Sequence, residues 1–148
     1  MTFAMKFPTL KSVFLLLVLA FCLPAHSTVD EAHDHAMEAA TPFVKQGYTV
    51  REDYWNGEVE SGQKLAVKHQ LFKGNAYVFW LGTANDKCTL DLAIYDAKGQ
   101  PVHMEKQNKD YTCTVRVNPP STGTYTVVFS VTSEKERGVT WAVAYGYR

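Results

Sequence analysis

The chain reads as all-β, an antiparallel β-sandwich or jelly roll of about eight strands, with a short helix near the N-terminus. Three segments carry that reading. Leu90-Asp91-Leu92-Ala93-Ile94-Tyr95 alternates apolar and polar residues and breaks at Asp96-Ala97-Lys98-Gly99. Pro119-Pro120-Ser121-Thr122-Gly123 releases a second alternating run, Thr124 to Val131. Val139, Trp141, Val143, Tyr145 and Tyr147 then alternate with Thr140, Ala142, Ala144 and Gly146. Period-two patterning bounded by Asp/Gly and Pro/Gly turns belongs to strands with one dry face.

Residues 1–27 stand apart from the fold. Lys6 and Lys11 precede an almost unbroken apolar run from Val13 to Leu23, and Pro24-Ala25-His26-Ser27 puts small residues before a cut after Ser27. This is the pattern of a cleaved signal peptide, and the run is too short to anchor in a membrane. The expectation is a secreted or periplasmic protein without a membrane span in its mature chain. Lipid attachment at Cys22 would need a small residue before it, and Phe21 is bulky.

The remainder divides into a helix over 28–44 and one sandwich domain over 45–148, a common size for a single domain. The signal carries two of the 15 basic residues and none of the 15 acidic ones, leaving the mature chain with net charge −2. Its lysines are scattered singly, which disfavours nucleic acid or an anionic membrane as a partner.

Thr28-Val29-Asp30-Glu31 fits a capping box, and Ala32, Ala36, Met37 and Ala40 form a narrow face before Thr41-Pro42 ends the helix. Gly47 frees an edge strand, Tyr48 to Arg51, and Asp53-Tyr54-Trp55-Asn56-Gly57 reads as a loop. From Lys64 onward Leu65, Val67, His69 and Leu71 share one side. Ala76 to Leu81 is apolar on both sides, as a central strand should be. Leu90–Tyr95 and Val102–Glu105 are expected to form a hairpin across Asp96–Gly99, with Tyr111–Val117 a further strand. The small phase of the last strand invites something to lie close against it, the alanine-faced helix being the natural occupant.

Cys88 and Cys113 lie on the apolar phases of their strands. An even count in an exported domain points to a disulfide, which would restrict the unfolded chain by about 3–4 kcal/mol. Two buried free thiols, or a metal or redox pair, are the alternatives; a C-x-x-C motif is missing.

Chemistry-bearing residues are sparse. His33-Asp34-His35 is the densest ligand group, but two histidines two apart on a helix diverge by about 200°. Asn85-Asp86 with Asp91 or Asp96 could chelate Ca²⁺, although turn and strand positions already account for Asp96 and Asp91. Ser61 and Ser121 sit in turn sequences, His69 lies on an apolar phase, and neither G-x-S-x-G nor H-E-x-x-H occurs. No catalytic, cofactor or metal residue is therefore assigned. Tyr54 and Trp55 are the candidate ligand-binding residues: loop aromatics stack on sugars or anchor proteins, or else they plug the end of a sandwich.

Asp91-Leu92-Ala93-Ile94-Tyr95-Asp96-Ala97-Lys98-Gly99, Pro120-Ser121-Thr122-Gly123-Thr124-Tyr125-Thr126-Val127 and Leu71-Phe72-Lys73-Gly74-Asn75-Ala76-Tyr77-Val78-Phe79 together resemble the bacterial pre-peptidase C-terminal domain. The resemblance spans about residues 64–131 and implies a jelly-roll accessory module, some of whose relatives bind collagen, polysaccharide or Ca²⁺. Thr89 stands where that family has its first Asp, and the expectation is a module without a peptidase domain beside it. The expectation is a non-catalytic exported binding module without a cofactor, its ligand a carbohydrate or another exported protein. A small secreted hydrolase or metal-dependent enzyme, and a structural envelope component, are the competing readings.

Overall fold

The computed structural model describes residues 28–148; the expected signal peptide, with Lys6, Lys11 and Cys22, lies outside the described residues. One helix, α1 (Val29–Lys45), precedes nine strands: β1 (Thr49–Val50), β2 (Trp55–Glu60), β3 (Leu65–Leu71), β4 (Tyr77–Gly82), β5 (Cys88–Tyr95), β6 (Glu105–Lys109), β7 (Thr112–Val117), β8 (Gly123–Ser133) and β9 (Gly138–Tyr147). They form a six-stranded sheet of order β1-β9-β4-β7-β6, with β2 also on β9, and a three-stranded sheet of order β3-β8-β5. All pairings are antiparallel. The molecule is an open sandwich with a helix on the outer side of the larger sheet.

The alternation decides which side chains meet between the layers. Leu90, Leu92 and Ile94 of β5 and Tyr125, Val127, Phe129 and Val131 of β8 are buried against Phe79, Leu81, Val115, Val143 and Tyr145 of the other sheet. Leu92 pairs directly with Phe129, and both are essentially inaccessible. Strand β4, apolar on both faces, is central and wholly buried, because its second face lies under α1.

That second face explains the small phase of β9. Ala32, Ala36 and Ala40, spaced one turn apart, are buried against Gly82, Ala142, Ala144, Val78 and Trp80. A Cβ on Gly82 would stand 2.2 Å from the Ala32 carbonyl oxygen, so only glycine permits this approach. Thr28 caps the helix by accepting from the Glu31 N–H at 3.1 Å.

Three local expectations are corrected. The helix does not end at Thr41-Pro42 but runs to Lys45, with Gly47 in the left-handed region closing it at φ 91°. Phe43 packs edge-on to Trp80 and Tyr48, and this packing holds the last turn despite the N–H that Pro42 lacks. Residues 55–57 are not loop but the start of β2, pairing with β9. Gly57 there is no turn residue: Trp141 lies 3.2 Å from where its Cβ would be. Finally, the turn at Asp96–Gly99 forms, with Asp96 Oδ1 accepting from Lys98 and Gln100 N–H at 2.9 Å, yet the hairpin stops after the Tyr95–Pro101 bridge. Val102 and Met104 tuck against the core as the chain crosses over, and β6 joins β7 in the other sheet.

Candidate functional site

Helix α1 covers β9 and β4 but leaves the outer faces of β7 and β6 open on one flank. The helix wall, with Glu38 and Phe43, and the strand floor, with Thr114, Arg116, Gln107 and Glu105, enclose a groove of about 830 Å³. Register explains the floor: Thr112, Thr114 and Arg116 are the polar phase of β7, opposite Lys109, Gln107 and Glu105. The inner phase of β6 turns the other way, closing the flank of the sandwich. There Lys106 pairs with Asp91, and the Asn108 amide donates to the Leu90 carbonyl at 3.0 Å.

A second cleft of about 490 Å³, lined among others by Tyr48, Pro101, His103 and Arg148, also contains Glu105 and Arg116. The two clefts are therefore neighbours, meeting at Glu105 and Arg116 beyond the C-terminal end of the helix. Arg116 lies over the Phe43 ring at 5.8 Å and Arg148 over the Tyr48 ring at 4.8 Å. The Arg116–Glu105 pair is long, 3.8 Å, while Arg148 donates to the Gln46 carbonyl at 3.0 Å.

At the other end Tyr111 and His35 frame the groove with stacked rings 4.5 Å apart. His35 Nδ1 lies 2.7 Å from the Thr83 carbonyl; a carbonyl only accepts, so Nδ1 carries the proton. Asp86 accepts from the Tyr111 hydroxyl, and that bond is the main reason the phenol is pushed above its ordinary value. Behind it lies a buried polar knot. Asn85 Oδ1 accepts from the Thr140 N–H at 2.8 Å, Asn85 Nδ2 donates to Glu136 at 2.7 Å, and the Thr83 hydroxyl donates to the Thr140 carbonyl at 2.8 Å. These bonds pin the β4–β5 loop to β9, and so fix the groove's end.

The candidate aromatics separate. Tyr54 is exposed on the outer side, stacked on His33 at 3.7 Å. Trp55, the first residue of β2, points into the sandwich, with its ring 5.6 Å from both His69 and Tyr145. They face opposite sides of the sheet, so they do not form one stacking platform; Trp55 closes the open flank. The Tyr145 hydroxyl donates to Asp53 at 2.9 Å, holding that carboxyl below its usual range, and Arg51 pairs with the same carboxylate at 3.3 Å. Partial burial pushes His69 below its ordinary value, against the opposing pull of Asp53.

The disulfide expected between Cys88 and Cys113 is not formed; both thiols are free. Cys113 sits beside Leu92 in the core, four residues along β5 from Cys88, or about 13 Å at strand spacing. Cys88 Sγ instead lies 3.6 Å from the Asp86 carbonyl. Burial raises both thiols, Cys113 up to about 11.

The weighed metal groupings are dispersed. His33 and His35 reach opposite flanks of the helix, Asn85 is held by Thr140 and Glu136, Asp91 pairs with Lys106, and Asp96 serves its turn. Among the described residues no three His, Cys, Asp or Glu side chains are grouped to hold an ion, and no helix is long and apolar enough to cross a membrane. Arg116, Arg148, Glu105 and Gln107 carried no signal as a site in the sequence. The polar phase of β7 was readable, but the wall that faces it comes from a helix about 70 residues earlier in the chain.

No protein-family model matches the chain, and a search of curated proteins finds no match either.

Proposed function

We propose that the protein is an exported, non-catalytic binding module that holds an extended polymer along the groove between α1 and strands β6 and β7. The supporting observation is adjacency: the two open clefts, of about 830 and 490 Å³, share Glu105 and Arg116, so the surface available to a ligand continues from one to the next. Its lining is carboxylates, guanidinium, carboxamide and hydroxyls, with aromatic edges at Phe43 and Tyr111, the mixture that hydrogen-bonds and stacks against sugar rings. The resemblance to accessory domains of secreted peptidases agrees with a recognition role. The five exposed residues of β6 include Glu105, Lys106 and Lys109, charges that discourage a peptide from adding as a further strand. A polysaccharide therefore fits better than a polypeptide.

Electrophoresis of the purified protein through gels containing dissolved polysaccharides tests this. Retardation should disappear in Gln107→Trp, which fills the groove from an exposed position, and persist in Tyr54→Ala. Retardation that survives Gln107→Trp but is lost in Tyr54→Ala would move recognition to the opposite flank of the helix.

A further inference from the structure

We infer that the polymer is an acidic polysaccharide, one of whose anionic substituents is held between Arg116 and Arg148. The inference rests on the groove reading above and adds the ligand's charge. The two guanidiniums are mounted on touching rings: Phe43 under Arg116, Tyr48 under Arg148, and the rings edge to face at 5.6 Å. The rings restrict the guanidiniums, Arg148 more closely at 4.8 Å than Arg116 at 5.8 Å, which lowers the ordering cost of binding. A guanidinium offers five N–H donors in a planar fork suited to carboxylate or sulfate. Arg116 meets one carboxylate at 3.8 Å, too far for a hydrogen bond, and Arg148 spends one nitrogen on the Gln46 carbonyl.

Both arginines line the same 490 Å³ cleft, together with His103. Of the two acidic side chains there, Asp96 points Oδ1 at the N–H groups of its own turn, and Glu105 is the exposed partner of the long pair. An arriving anion can displace Glu105 outward and take both forks. Mature net charge is slightly negative, so attraction must be local to this cleft rather than a property of the whole surface.

The test is a binding titration of the purified protein with polygalacturonate, dextran sulfate, unmodified dextran and polyglutamate. Polygalacturonate or dextran sulfate should bind, with salt-sensitive affinity, and whichever does so names the anion as carboxylate or sulfate. Arg116→Gln and Arg148→Gln should each weaken binding about tenfold, whereas Lys68→Gln on the opposite sheet should not. Arg116→Lys should restore only part of the loss, since an ammonium lacks the fork. Equal binding of dextran, indifferent to both arginines, would overturn the acidic ligand and leave the groove reading standing. Polyglutamate held through the same arginines as tightly as the sugars would overturn the polysaccharide. Failure of every polymer to bind would overturn both.

Discussion

Gly82 has no room for a methyl group, since its Cβ would meet the Ala32 carbonyl at 2.2 Å, and backbone cannot move aside as a flexible side chain can. Gly82→Ala should cost about 2–3 kcal/mol in urea unfolding, as overpacking does. Gly138→Ala, with nothing within 4 Å, should change little. His69 sets a pH dependence of known sign. Burial lowers its folded value below the ordinary 6.5, so the unfolded chain takes up the proton first as pH falls. Stability should therefore drop on acidification below about 6.5, and His69→Phe should remove part of that drop in melting temperature. The cysteines give a third check. Alkylation of the unreduced protein in denaturant, followed by mass spectrometry, should label both, whereas in the native protein Cys88 should react before the buried Cys113, whose thiol resists ionisation up to about 11. Neither peptide labelled before reduction, and both labelled after it, would contradict the free pair.

At the scale of elements, the polar knot behind the groove predicts a large effect from a small change. Asn85→Ala leaves the buried Thr140 N–H without its acceptor and should cost about 2 kcal/mol by denaturant unfolding. It should also loosen the β4–β5 loop in hydrogen exchange while leaving the β3-β8-β5 sheet protected. Elements with an unbroken period were legible in the sequence: β5 and β8 alternate because one face of each meets the core, and β9 alternates large with small because one face meets the core and the other meets α1. The docking of α1 on the small phase of β9 was legible too, because two small-residue stripes can only bury each other at close range. Strand β2 was hidden, since Asn56-Gly57 has the composition of a tight turn while Gly57 in fact makes room for Trp141. The crossing at Val102–Met104 was hidden as well. A turn as well formed as Asp96–Gly99 says how the chain reverses, but not how long the returning strand stays beside its partner.

For the whole molecule, layering determines which surfaces are left uncovered. The narrow sheet leaves one flank open, which Trp55, His69 and Tyr145 fill, and the single helix leaves the opposite flank of the large sheet as a ledge. The sequence could suggest aromatics on a loop as a site, because composition is local. It could not suggest the groove, whose wall and floor come from segments about 70 residues apart and meet only through the sheet order. The most direct measurement of the central claim is an amide chemical-shift map of the protein titrated with an oligogalacturonate. The largest shifts should fall on α1 beyond Glu38, on β6 and β7, and at Arg148. Shifts confined to the outer face of β3, β8 and β5, or centred on Tyr54 and His33, would contradict it.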